Sequence, residues 1–193
     1  MKTLLTILIL LCVTASGAGC ALLNDQTPAA EHRYEPTNRD HLRSLKQLAA
    51  SPAVVNYTRV ANLLNTQSQD EIDLVDTAWK AQDPAVLPRV DEVLDNSTAV
   101  YLRRIQRLFP EYLEIMLIDR KGCVVASADR TSDYWQGDER KWQTIFHNPQ
   151  REYTVADVHL DLSVNAYLHH YSLPVRDHEG QLIGVLVAGV AFD

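Results

Sequence analysis

The chain has 193 residues, 46% of them hydrophobic and 22% charged, with a formal net charge of −7. That length and apolar content suit one globular domain with its own core, plus an extension. The acidic balance, with no run of Lys and Arg, excludes nucleic acid as an expected partner, because neutralising phosphates needs clustered basic side chains.

The N-terminus reads MKTLLTILILLCVTASGAGC. Lys2 is followed by an apolar run from Leu4 to Val13, too short to span a bilayer, and then by small residues. This is the layout of an export signal. Its ending, GAGC, resembles the lipobox of bacterial lipoproteins, with Gly17 where those usually carry Leu. The resemblance implies a lipid on Cys20 and a place in the bacterial cell envelope, facing the periplasm. Ala21 rather than Asp after the Cys points to the outer membrane. Cys12 then leaves with the signal and Cys20 is acylated, so Cys123 has no disulfide partner. Cys123 opens the apolar run CVVASA and reads as a small buried hydrophobe. Residues 21–38 mix Pro, Asn, Ala and charge without a period and read as a tether. No later apolar run is long enough to cross a membrane, so any signal is expected to pass to a separate membrane receptor protein.

Helical patterning begins at Asp40, with Leu42, Leu45, Leu48 and Ala49 on one face. Ser51 and Pro52 read as the cap and first turn of a second helix carrying Val54, Val55, Leu63 and Leu64. After NTQSQ, Ile72, Val75 and Trp79 recur at spacings of three and four. The segments DPAVLPRVDEVL and STAVYLRRIQRLF continue the helical half, which Pro110 limits. Residues 40–109 are therefore helical.

From 113 to 193 the period changes to that of strands. EIMLID and CVVASA flank the turn RKG; EYTVADVHL and AYLHHYSLPV flank DLSVN; QLIGVLVAGVAF closes the chain. Five strands in succession, joined mostly by short turns, predict an antiparallel sheet in an α+β domain. One long interruption, DRTSDYWQGDERKWQTIFHNPQ, separates the second and third strands and holds two of the three Trp. Insertions of that length are usually functional or disordered, and the Trp argue against disorder.

From residue 39 to the end, the chain resembles the Cache (PDC) family of extracytoplasmic sensor domains. The resemblance rests on the helical region before the sheet and on LEIMLIDRKGCVVASADRTSDY, with its Asp-x-x-Gly turn. It rests also on DERKWQTIF and on SLPVRDHEGQLIGVLVAGV. It implies a PAS-like antiparallel five-stranded sheet with long N-terminal helices packed against it. It also implies a site for a small polar molecule (a carboxylate, amine or amino acid) between the sheet and its loops. Arg140 and Trp142 match an Arg-x-Trp pair that grips a ligand carboxylate in relatives, and Trp135 takes the place of an aromatic wall. His159 and Asp161 are nearest to an aromatic and an Asp that contact ligand from the third strand. The family's late Asp, which holds a ligand ammonium, is absent from LVAGVA, so a carboxylate without an amine, or a ligand held differently, is favoured.

The residues themselves give a similar set. Tyr153, Val155, Asp157 and His159 share one parity along the third strand, as do Tyr167, His169 and Tyr171 along the fourth. Trp faces and the planar Arg fork suit a small polar ligand. His169 and His170, adjacent in a strand, point to opposite faces and do not share an ion, so neither metal nor cofactor is expected. No nucleophile elbow, phosphate-cradling Gly loop or metal-binding histidine pair on a helix is present, so the chain is expected not to be an enzyme. The leading expectation is a lipid-anchored sensor domain; the alternative is a ligand-free lipoprotein that docks on a partner. An open cavity around Arg140 and Trp142 would favour the first. A filled one, with an apolar patch elsewhere, would favour the second.

Overall fold

A computed structural model of the chain describes residues 38–161 and 165–192. The expected export signal, Cys20 and the expected tether as far as residue 37 lie outside the described residues. Five α-helices come first: α1 (Asn38–Ala49), α2 (Pro52–Leu64), α3 (Gln69–Lys80), α4 (Leu87–Leu94), preceded by a 3-10 turn at Pro84–Val86, and α5 (Ser97–Leu108). The strands are β1 (Tyr112–Asp119), β2 (Val124–Ser127), β3 (Thr154–Val155), β4 (His159–Asp161), β5 (Ala166–Arg176) and β6 (Leu182–Ala191), with α6 (Arg140–Phe146) between β2 and β3.

The sequence dictates the breaks. Pro52 and Pro84 open helical segments, where a missing N–H costs nothing. Ser68 and Glu71 form a reciprocal capping box at the start of α3. The Asn96 side chain accepts from Ala99 N–H and starts α5. Ser51 occupies the cap position of α2, but its hydroxyl makes no cap bond. The helical region is thus several helices of 8–13 residues rather than one long helix. Among the described residues no helix is long and apolar enough to cross a membrane.

The sheet is antiparallel, in the order β2-β1-β6-β5-β3, with β4 also pairing with β5. This is the PAS-like sheet that the sequence resemblance implies, its third strand divided in two. The last strand, β6, is central, and both its faces are covered, which is why it reads as an unbroken run of Val, Leu, Ala and Gly. One face packs Ile115, Leu117, Tyr171, Leu173, Leu186 and Ala188 against Leu45 and Leu48 of α1, Val54 of α2 and Leu102 of α5. The other packs Met116, Ile118, Val185 and Val187 with Ile72 and Trp79 of α3, Val90 and Val93 of α4, Tyr134, and Ile145 of α6. Each fully buried Leu or Ile contributes about 1.5–3 kcal/mol by leaving water.

A one-residue slip separates β3 from β4. Val155 pairs with Tyr171, whereas His159 pairs with Leu168, so four steps on one strand match three on its partner. Such a bulge flips the facing of everything beyond it. Val155 and His159 therefore do not share a face, contrary to the parity expected from the sequence. His159 and Asp161 turn instead to the face carrying Leu168 and His170.

Candidate functional site

The long segment after β2 folds back along that strand. Cys123 and Trp135 form an antiparallel bridge, and Val124 N–H donates to Tyr134 O at 2.9 Å. Asp76 of α3 holds it in place, its Oδ1 accepting from the backbone N–H of Tyr134 and Trp135 at 2.9 and 3.0 Å. Trp135 Nε1 donates to Lys121 O at 2.9 Å, and Trp142 Nε1 donates to Asp119 O at 3.0 Å. Both acceptors belong to the β1–β2 turn. Gly122 takes a positive φ of 86° there, and a Cβ on it would meet Gly137 Cα at 2.5 Å. Trp142 also stacks on Phe146, with ring centroids 4.3 Å apart. The two Trp therefore brace a turn, and their indole N–H groups are spent on main-chain carbonyls. Arg140, the first residue of α6, is exposed, and no side-chain partner is found for it among the described residues.

The remaining expected residues do not gather around that segment. Tyr153 is 38% exposed with Lys46 Nζ 5.1 Å from its ring. Tyr167 is 58% exposed. Asp157 is exposed, and its carbonyl meets His159 Nδ1 at 3.1 Å. His169 lies edge-on to Tyr171 and Phe192 on the face that carries α1, α2 and α5. His159 and Asp161 join His170, with ligand atoms all within 4.8 Å of one another. His170 Nε2 is also 3.0 Å from Glu114 Oε2. Sequence alternation separated His169 from His170, and the pairing of β4 with β5 supplies the neighbours that alternation does not reveal. Glu114 and Asp119 stand five residues apart on β1, about 17 Å at a strand's rise. The Trp segment and the His cluster thus sit at opposite ends of one sheet face.

A cavity of about 690 Å³ lies elsewhere among the described residues, between the end of α2, α4 and the β2 edge. Its walls include Tyr57, Gln67, Arg89, Glu92, Asn96 and Tyr134. Tyr134 Oη donates to Gln67 Oε1 at 3.2 Å, and the Arg89 guanidinium is 5.9 Å from the Tyr134 ring. Arg89 Nη1 pairs with Glu92 Oε2 at 2.6 Å. Burial raises the pKa of both Tyr57 and Tyr134, so both phenols stay protonated at neutral pH and able to donate. Asp91, Glu92 and Asp95 outnumber Arg89 and make the cavity acidic. Sequence reading missed Tyr57, Arg89 and Glu92 because they lie on helices whose other faces are core. The available signals were the polar break NTQSQ and the Arg89–Glu92 spacing of three.

No protein-family model and no curated protein matches the chain. Among solved structures, the sensory domain of the Campylobacter jejuni chemoreceptor Tlp3 with isoleucine bound is similar at 16% identity and a TM-score of 0.40. That match covers 79% of this chain and 60% of that one. The Vibrio cholerae histidine kinase DctB sensor domain is similar at 17% identity and a TM-score of 0.39, over 79% and 57% of the two chains. The Escherichia coli DcuS sensor domain gives 17% and 0.38, over 63% and 86%. The chain spans little more than half the length of the first two. By its own strand order and covering helices, the described part of the chain has a Cache/PDC-like fold.

Proposed function

We propose that this chain is an extracytoplasmic sensor domain that takes a small polar ligand into the cavity between α2, α4 and β2. The observation that carries this reading is the cavity itself. Its volume of about 690 Å³ is that of a small-molecule site, and it joins two tyrosine walls to a few convergent polar groups. Its acidic lining suits a ligand with an amine, and Arg89 offers a fork for a carboxylate. An amino acid fits both, and an amine fits the first. A lipid on Cys20 tethers the domain to the outer membrane, facing the periplasm. Occupancy is relayed to a separate membrane receptor, which requires the ligand to bind one conformation better than another.

A thermal-shift screen of the purified chain against amines, amino acids and organic acids tests this. A ligand at a hundred times its dissociation constant stabilises the fold by roughly 2.7 kcal/mol. The shift should vanish in Arg89→Ala and Glu92→Gln and survive in Arg140→Ala. Loss in Arg140→Ala with retention in Arg89→Ala would move the site back to the Trp segment. A docking surface is the second reading, because Val60, Leu63 and Leu64 of α2 are 44%, 74% and 74% exposed beside the cavity.

A further inference from the structure

We propose that His159, Asp161, His170 and Glu114 bind one divalent late first-row transition metal ion of the Zn2+ type. Three strands supply the ligands. His159 and Asp161 are two apart on β4 and so share a side, and the bulge before them turns that side toward His170 of β5. Glu114 reaches across from β1, two strands away from β5. It can do so because Gly189 of β6 lies in register between them, paired with both Glu114 and His170. A Cβ at 189 would stand 3.3 Å from Glu114 Cβ and 3.6 Å from His170 Nε2, so the missing side chain keeps the gap clear.

The distances suit an ion. Two ligand atoms on a tetrahedral Zn2+ at about 2.05 Å lie about 3.3 Å from each other. His170 Nε2 is 3.0 Å from Glu114 Oε2 and 3.8 Å from Asp161 Oδ2, on either side of that value. The ligand atoms of His159, Asp161 and His170 span no more than 4.8 Å, and His159, exposed, is free to close the widest separation; Glu114, near His170, falls outside that group and has to turn its carboxylate toward the ion. His159 Nδ1 faces the Asp157 carbonyl at 3.1 Å; as a donor there it leaves the Nε2 lone pair for the metal.

The donor set selects the ion. Imidazole nitrogen with carboxylate oxygen, without thiolate, favours Zn2+, Co2+, Ni2+ or Cu2+, whereas Mg2+ and Ca2+ require oxygen alone. Two carboxylates and two neutral imidazoles carry −2, which a dication cancels. The Glu114 side chain is only 16% exposed, and a carboxylate so far removed from water is costly unless compensated. Bound metal would fasten β4 to β5 and, across β6, to β1. This site is separate from the ligand cavity and does not depend on it.

The test uses the full chain without an affinity tag, stripped with chelator and titrated with Co2+ and with Zn2+ in competition with a chromophoric chelator. One ion per chain, a visible Co2+ spectrum of four-coordinate type and a raised melting temperature are expected, with no displacement by excess Mg2+ or Ca2+. His159→Ala, at an exposed position, should keep the fold, weaken binding at least about tenfold and abolish the melting shift. Glu114→Gln should weaken it as well, while His169→Ala, on the opposite face, should bind as the unaltered chain does. Absence of stoichiometric binding would overturn the proposal. Equal affinity in His159→Ala would overturn it too.

Discussion

Two tryptophans in a charged segment look like ligand walls in the sequence. In the structure each has an indole N–H that ends on a carbonyl of the β1–β2 turn, so their first task is to hold that turn. The turn is organised by Asp119. Its carboxylate is fully buried and accepts from Asn65 Nδ2 at 2.7 Å, Lys121 N at 2.8 Å and Cys123 N at 2.9 Å. Burial raises its pKa, and those donors oppose the rise. Asp119→Ala would leave three donors without an acceptor, each costing about 1–3 kcal/mol where water cannot reach. A loss of at least about 3 kcal/mol is expected in urea unfolding. An unchanged midpoint would mean that solvent replaces the carboxylate. Next to it, Cys123 is wholly buried, and burial first, then Asp119, push its thiol up to about 12. The sequence reading of a small core hydrophobe holds for this residue.

Among the elements, helices and strands were legible because apolar side chains recur at 3.6 and at 2 residues. The division of the third strand was not legible, because a bulge adds one residue without changing composition. That residue moves His159 and Asp161 to the face of His170 and Glu114. Close approach between elements was equally hidden. Gly184 of β6 lies where α2 crosses the sheet: a Cβ there would meet Ile118 O at 2.6 Å and Thr58 Cγ2 at 2.7 Å. Asn62 of α2 also donates to Ile183 O at 2.7 Å, so the helix has little room to retreat. Gly184→Ala should therefore destabilise by about 1–3 kcal/mol, seen as a lower melting temperature. A neutral result would show that α2 shifts freely on the sheet.

For the molecule as a whole, stability should fall on mild acidification, and His41 is one source. It is buried in α1 against Tyr112, with ring centroids 5.6 Å apart. Burial lowers its pKa below 6.5, while Glu111 and Asp40 partly oppose the shift. A depressed folded pKa means the neutral ring is favoured in the fold. Its contribution is complete above 6.5 and is lost as pH falls through the lowered value. His41→Gln should flatten the dependence of the urea midpoint between about pH 7 and pH 5. If the slope is unchanged, His41 titrates alike folded and unfolded, and other groups set the acid response.

The sequence by itself determined the helical half, the sheet half, the Asp-x-x-Gly turn and the buried central strand, because each follows from local periodicity, turn chemistry and apolar runs. Only the tertiary structure decided which polar residues meet. Arg89, Tyr57 and Tyr134 come from α4, α2 and the segment after β2, and share a cavity because packing on the β2 edge leaves space there. Glu114 meets His170 across a glycine 75 residues further along the chain, through strand order and register. Such meetings depend on long-range pairing, which spacing along the chain does not encode.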